Sequence, residues 1–410
     1  MDWSRVIHWR WGMILLVLAV AGSAASGGRF LGFSTDYRVF FSKDNPQLVA
    51  FETLQNTYTK NDNILIGIEP ADGRVFSRET LRAVREITEA SWQIPYSIRV
   101  DSVTNFQYTW AEGDDLVVQD LVPDPEAMSD ADLERVRDVA LAEPLLANRL
   151  VNPAAAMTGV NVTINLPGKH NGETPEVTAF VRRLADRFRA EYPGIKFYLT
   201  GVVFMDNAFN EAGVGDMTTL VPVMYSLVIV ILWWVLGSFF AMLATVLVIA
   251  FSVATAMGLA GWLGIMLTPI SANGPTIILT LGVADSIHIL TTFLHEMRMG
   301  RTKGEALAES LRVNQGPVFI TSITTAIGFL SLNFSDSPPF RDLGNIVAMG
   351  VMAAYVYSIT LLPALMSLLP VKVRPLDASG RLPVDRIADF VIANRRRLFF
   401  GMLGLMAVLV

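Results

Sequence analysis

Residues 217–294 read MTTLVPVMYSLVIVILWWVLGSFFAMLATVLVIAFSVATAMGLAGWLGIMLTPISANGPTIILTLGVADSIHILTTFL, and these 78 residues carry one formal charge, Asp285. A bilayer is crossed by about 20 apolar residues. The stretch therefore holds several membrane spans and cannot be the core of a soluble domain. Apolar length and breaks place spans at 11–31, 218–238, 240–264, 269–294, 316–334 and 341–369, with a seventh beginning at Leu398.

The rest of the chain fits around that block. Of 410 residues, 52% are hydrophobic and 17% charged, against about 25% charged in soluble domains. Disorder is excluded, since it needs low hydrophobicity and high net charge. The net charge of −6 argues against a nucleic-acid partner. With no cysteine, thiolate metal sites and cysteine nucleophiles are excluded. Residues 36–212 differ sharply: 27 Asp+Glu and 17 Lys+Arg, net −10, the composition of a water-exposed domain.

The organisation expected is a lead and first span over 1–35, a soluble domain over 36–212 and a helical membrane block over 213–370. A linker with an amphipathic helix follows over 371–397, and the start of another span over 398–410. A rival reading makes the first apolar run a cleaved signal peptide, but 18 uncharged residues from Trp11 to Gly28 suit a retained span better. Loop charges orient the chain. With a cytoplasmic N-terminus, the inner segments 1–10, 295–315 and 370–397 hold 2, 4 and 7 Lys+Arg, the positive-inside pattern. The 36–212 domain then lies in the periplasm.

Within that domain, Asn63–Glu69 alternates like a strand, and Ser97–Val103, Gly159–Leu166 and Ile195–Thr200 read as further strands. Helices are expected from Ser77, over Asp130–Leu146 and over Glu173–Tyr192. Two β-α-β groups suggest a ferredoxin-like split βαβ layer. The fold class expected is an α-helical integral membrane protein with an inserted periplasmic α+β domain.

No nucleotide-binding loop, zinc-binding H-E-x-x-H or nucleophile elbow occurs, and no enzyme activity is expected. Asp285 is the informative residue. A charge at the centre of a membrane helix costs at least about 2.5–3.5 kcal/mol, and such residues mark ion or proton paths by default. A carboxyl balanced between desolvation and a cationic partner can load and release a proton near neutral pH. The alternative is a structural hydrogen-bonder across a helix interface. Ser286 adjoins it, and His288 follows on the same face, either extending a relay or merely nearing the cytoplasmic end. Hydroxyls come from Thr321, Ser322, Thr324 and Thr325 in the fifth span and from Tyr355, Tyr357 and Ser358 in the sixth; Thr324, Thr325 and Tyr355 are the relay partners expected. Pro269, Gly274 and Pro275 break the start of the fourth span, as broken helices do at transport sites.

One span, a large outer domain, then five spans with an aspartate in the fourth: this order resembles the first half of a resistance–nodulation–division (RND) transporter. Residues 281–344, LGVADSIHILTTFLHEMRMGRTKGEALAESLRVNQGPVFITSITTAIGFLSLNFSDSPPFRDLG, are similar to the MMPL-like branch, the hydrophobe exporters, and the five-span block resembles the sterol-sensing domain. The resemblance implies a porter-type outer domain and proton-coupled export of hydrophobic or amphiphilic, lipid-like molecules. It also implies a relay role for Asp285, with no cofactor beyond the proton gradient. Many members place Tyr after that Asp; this chain has Ser286. Family relays also use a tenth span, so the partner expected is a second transporter half or another copy of the chain, together with the lipid bilayer of a bacterial inner membrane. The motif at 4–20 resembles 389–410, with Val6-Ile7 matching Val391-Ile392 and Arg10 matching Arg395, so a second repeat is expected to begin near residue 385. Two other readings stand beside export: a sterol-sensing-like receptor and a half-size accessory subunit of protein secretion.

Overall fold

A computed structural model of the chain describes residues 9–58, 62–170, 172–371 and 383–409. The lead 1–8, with Val6-Ile7 of the repeated motif, and residues 372–382 of the expected linker lie outside the described residues. The chain forms two compact units. A helical unit takes in the chain up to Phe33, Thr219–Ser335 and the chain from Pro339 on; an α/β unit comprises Ser34–Thr218 and 336–338.

In chain order, α1 (Arg10–Ala25) opens the helical unit. The α/β unit follows: α2 (Pro46–Thr57), β1 (Asn63–Pro70), α3 (Arg78–Ser91), β2 (Ser97–Asp101), β3 (Gln107–Glu112), β4 (Asp115–Asp120), α4 (Asp130–Ala142), β5 (Thr158–Ile164), α5 (Glu173–Glu191), β6 (Ile195–Thr200) and α6 (Val202–Gly215). The helical unit resumes with α7 (Val221–Leu236), α8 (Phe239–Trp262), α9 (Gly274–Arg298), α10 (Lys303–Leu330), α11 (Pro338–Ile359), α12 (Leu361–Leu368), α13 (Pro383–Ala393) and α14 (Arg395–Leu409).

The α/β unit is built on period-two burial. Ile64, Ile66 and Ile68 of β1 point to one face of the sheet and Asn63, Leu65 and Gly67 to the other. The strands are antiparallel in the order β2-β5-β1-β6, with Ile66 opposite both Val160 and Leu199. This is the split βαβ arrangement, with the hairpin β3–β4 inserted between its second and third strands. Its core joins the β1 isoleucines to Leu81, Val84 and Ile87 of α3 and to Val177, Val181 and Phe188 of α5. Ser77 caps α3 by accepting from the Thr80 N–H at 3.2 Å. At the start of α5, Glu173 is buried and its carboxylate accepts backbone N–H groups from Gly168 and Lys169 at 2.7 Å and from His170 at 3.3 Å.

Several boundaries differ from the expectation for identifiable reasons. Helix α4 stops at Ala142, not Leu146, because Pro144 holds Glu143 in extended backbone (ψ 116°). The hairpin β3–β4 turns at Gly113, where φ is +64°. No loop separates the α/β unit from the second span: one helical stretch of 35 residues, Val202–Leu236, joins α6 to α7 through a π turn at Asp216–Leu220. Pro222 has no N–H to donate to the Thr218 carbonyl, which accounts for the altered turn there. The sixth span divides at Thr360 into α11 and α12, since Pro363 cannot bond the Ile359 carbonyl.

Among the described residues, six helical stretches are long and apolar enough to cross a membrane: Arg10–Phe30, Val202–Leu236, Phe239–Trp262, Ser271–Arg298, Lys303–Phe334 and Pro338–Leu368. The protein is a multi-pass membrane protein. Two spans touch through backbone: Gly258 and Gly261 of α8 lie against Ala24 and Gly27, where a side chain on either glycine would overlap the facing main chain.

Candidate functional site

The candidate site lies in the helical unit, on the buried face of α9. Gly282, Asp285, Ser286 and Ile289 follow one another at helical spacing on that face. Asp285 is 5% exposed. Its Oδ2 accepts a hydrogen bond from Ser322 Oγ of α10 at 3.0 Å. No ion pair reaches it among the described residues. An ionised carboxylate so placed has one hydroxyl donor and, for a cationic partner, only the more distant His288 one turn on, whereas a protonated one needs neither.

The surrounding polar groups are also satisfied within the unit. Ser286 is fully buried, its hydroxyl 3.5 Å from that of Ser358 on α11. Tyr357 Oη and Thr255 Oγ1 of α8 lie 2.8 Å apart. One turn further along α9, Thr292 Oγ1 accepts from Asn314 Nδ2 at 2.9 Å, and Ser310 donates to the Ile289 carbonyl at 2.5 Å. Separate hydrogen-bonded pairs, built of hydroxyls and one amide, thus lie along α9 and the helices packed on it.

The residues singled out from sequence separate into groups. Asp285 and Ser286 are buried together, but His288, one turn on, is exposed. Neither threonine named in the fifth span bonds Asp285 in the structure. Thr324 is exposed and donates to the Ile320 carbonyl of its own helix at 2.7 Å. Thr325 is half-buried and makes no side-chain hydrogen bond among the described residues. The hydroxyl on Asp285 is Ser322's, because Ser322 shares the buried stripe of α10 with Val318 and Ala326. Tyr355 packs its ring 5.4 Å from that of Phe319, while Tyr357 is the tyrosine whose hydroxyl pairs with another, that of Thr255.

The glycine and proline positions lie at the entrance of α9, not inside it. Pro269 is in the connection from α8, where Thr268 and Ser271 bond one another, and Gly274 and Pro275 open the helix. Gly274 is close-packed, with space for no side chain beside Ile346. Thr255 and Asn314 were not singled out from sequence. The signal was available for Thr255: with Thr245 and Ser252 it makes a polar stripe along α8 at helical spacing, and all three are buried.

Fold and site together define a multi-pass membrane protein whose helical unit carries, among the described residues, one buried carboxyl beside helix hydroxyls. The model of the MMPL family matches residues 96–388, and the chain belongs to that family, as the resemblance implied. It is 25% identical over 369 residues to a protein of Methanocaldococcus jannaschii named as a membrane protein, MJ1562, covering 86% of this chain and 89% of that one. It is 28% identical over 291 residues to the hopanoid transporter HpnN of Rhodopseudomonas palustris, covering 68% of this chain and 30% of that one. It is 25% identical over 184 residues to MmpL10 of Mycobacterium leprae, named as a transport protein, covering 42% of this chain and 18% of that one. The chain thus spans most of MJ1562 but less than a third of the two transport proteins.

Proposed function

We propose that the chain is one repeat of a proton-coupled secondary transporter that exports hydrophobic or amphiphilic, lipid-like molecules, with Asp285 as the proton-carrying group. Family membership and the naming of two relatives as transport proteins support transport. The observation that carries the proton reading is Asp285 itself. It is a buried carboxyl inside a membrane helix, hydrogen-bonded to Ser322 and without a direct ion pair among the described residues, His288 acting on it from one turn away. The driving force is the proton gradient, and no cofactor is required.

The proposed setting is a bacterial inner membrane, with a cytoplasmic N-terminus and the α/β unit in the periplasm as a porter-type domain. The exposed face of α9 supports a further partner. Thr280, His288, Thr291, Thr321 and Thr324 are exposed on membrane helices; the four threonines donate to carbonyls of their own helices, which leaves the His288 imidazole as the group that hydrocarbon cannot solvate. A second repeat or a second copy of the chain covers it in this reading, and the lipid bilayer covers the rest.

The test uses full-length protein in proteoliposomes containing a hopanoid, with an imposed pH gradient. Wild type should accelerate hopanoid extraction when the gradient is present. Asp285→Asn should lose that acceleration while remaining monodisperse and folded. Gradient-driven extraction that persists in Asp285→Asn refutes the relay role.

A further inference from the structure

A second cluster of charges lies in the α/β unit, apart from Asp285. The short 3₁₀ turn Tyr37–Phe40, just after the first span, carries Arg38 inward. Its Nη1 lies 3.2 Å from Asp36 Oδ2, and its Nη2 lies 3.1 Å from Asp62 Oδ1. The same Nη2 donates to Gln55 Oε1 of α2 at 3.2 Å. Asp206 of α6 lies within electrostatic reach of Asp36, Asp62 and Arg38 and near the backbone N–H of Tyr37. Its Oδ1 is buried and has no hydrogen-bond partner, and neither has the buried Arg38 Nε. Two carboxyls therefore pair with one guanidinium, and a third, Asp206, lies within electrostatic reach of all of them. The next acid along α6, Glu211, is already held by Arg182 of α5, whose Nη2 lies 2.9 Å away.

Asp206 belongs to the α/β unit, which extends to Thr218. The stretch Val202–Leu236 has 35 residues, about 52 Å at helical rise, against about 30 Å of hydrocarbon. Asp206 stands about 16 Å before Met217, where the uncharged stretch begins.

A carboxylate oxygen buried without a donor is an uncompensated acceptor beside two further negative charges. Binding a proton there removes the uncompensated charge from the cluster. We infer that Asp206 is a second proton-binding site, outside the membrane, and that its occupancy sets how tightly Arg38 clasps Asp36 and Asp62. Burial first, then the charges of Asp36 and Asp62, push the Asp206 carboxyl up to about 7, against the pull of the Tyr37 N–H and of Arg38. The ordinary value is about 3.9. Since the folded value is the higher one, the stabilising contribution is complete below about pH 4 and is lost as pH rises through about 7. Above that, a third negative charge repels Asp36 and Asp62, and the clasp loosens. The groups concerned come from every element around it: Asp36, Tyr37 and Arg38 from the turn, Gln55 from α2, Asp62 from the approach to β1, and Asp206 from α6. The clasp ties the segment leaving the first span to the helix that continues into the second.

Hydrogen–deuterium exchange on full-length protein tests this without reference to transport. Rates over 36–57 and 202–215, corrected for intrinsic pH dependence, are followed from about pH 5.5 to about pH 8.5. Wild-type protection should fall severalfold across about pH 7. Asp206→Asn, neutral at every pH, should show no step, and Asp285→Asn should keep it. A wild type without the step, or a step that survives in Asp206→Asn, overturns the inference. Should Asp206→Asn fail to fold, the Asp285→Asn protein itself carries the test. Its infrared difference spectrum should show a protonated-carboxyl band titrating near pH 7, and absence of that band overturns the site.

Discussion

Alanine in place of Gly258 tests whether the first and third spans are held backbone to backbone. A methyl built on Gly258 lies 2.5 Å from the Ala25 Cα and 2.6 Å from the Ala24 carbonyl carbon, where carbon atoms ordinarily stay about 3.5–4.0 Å apart. The helices must separate by about 1 Å at this crossing, since the obstacle is main chain and has no rotamer to change. Overpacking of this kind costs about 1–3 kcal/mol. Separation also weakens the Cα–H···O contacts that close crossings make, each about 0.5–1 kcal/mol. Alanine returns up to about 1 kcal/mol through helix propensity, so a net loss of about 1–2 kcal/mol is expected. Gly22 of α1 is the control, because nothing lies within 4 Å of its added methyl. Thermal unfolding of the detergent-solubilised protein, followed by loss of the monodisperse peak, should place Gly258→Ala below wild type and Gly22→Ala at or above it. If the two variants unfold together, the crossing is not packed as described and the reasoning fails.

Two further outcomes are expected. Ser322→Ala removes the hydroxyl on Asp285 and should slow gradient-driven transport about tenfold, the equivalent of one hydrogen bond to a charged group of about 1.5 kcal/mol. Thr324→Ala should stay within about twofold; equal effects would mean that the Ser322 bond is not used. Burial pushes the Glu173 carboxyl up, but the N–H groups of Lys169, Gly168 and His170 more than offset it and hold it below the usual range. Its folded value is the lower one, so its stabilisation is present above about pH 4.3 and lost as pH falls through the folded value. Glu173→Gln should therefore unfold at a lower temperature at neutral pH and show a flatter acid limb than wild type. An unchanged acid limb would contradict this role.

The membrane spans were legible because scarcity of charge survives any error of a residue or two in placing helix ends. The β1 strand was legible for a similar reason, since Ile64, Ile66 and Ile68 alternate and are all buried. The hairpin β3–β4 was not. Leu116 and Val118 are exposed, so its apolar residues mark no buried face and its alternation points nowhere. At the site, the sequence placed Asp285 and the helices around it but not the rotation of those helices. Ser322, Thr324 and Thr325 all belong to the fifth span, yet a helix turns about 100° per residue, and only Ser322 arrives on the buried side. The stripe Leu311, Asn314, Val318, Ser322, Ala326 carried that information, but its small and polar members hide it from any count of hydrophobicity. The Arg38 cluster was invisible for another reason: Asp36, Asp62 and Asp206 come from distant parts of the chain and meet only through the tertiary fold.

The Ser322–Asp285 pair has one further property, which follows from the chemistry of a hydroxyl. A carboxylate can only accept, and Ser322 then donates to it. A carboxylic acid can donate, and the same oxygen of Ser322 can receive that proton's hydrogen bond while its own O–H turns to a carbonyl of its helix. The two states keep the same partners and reverse the direction of one bond. If Asp285 carries the proton as proposed, a turn of the serine hydroxyl follows the charge of its neighbour without either helix having to move.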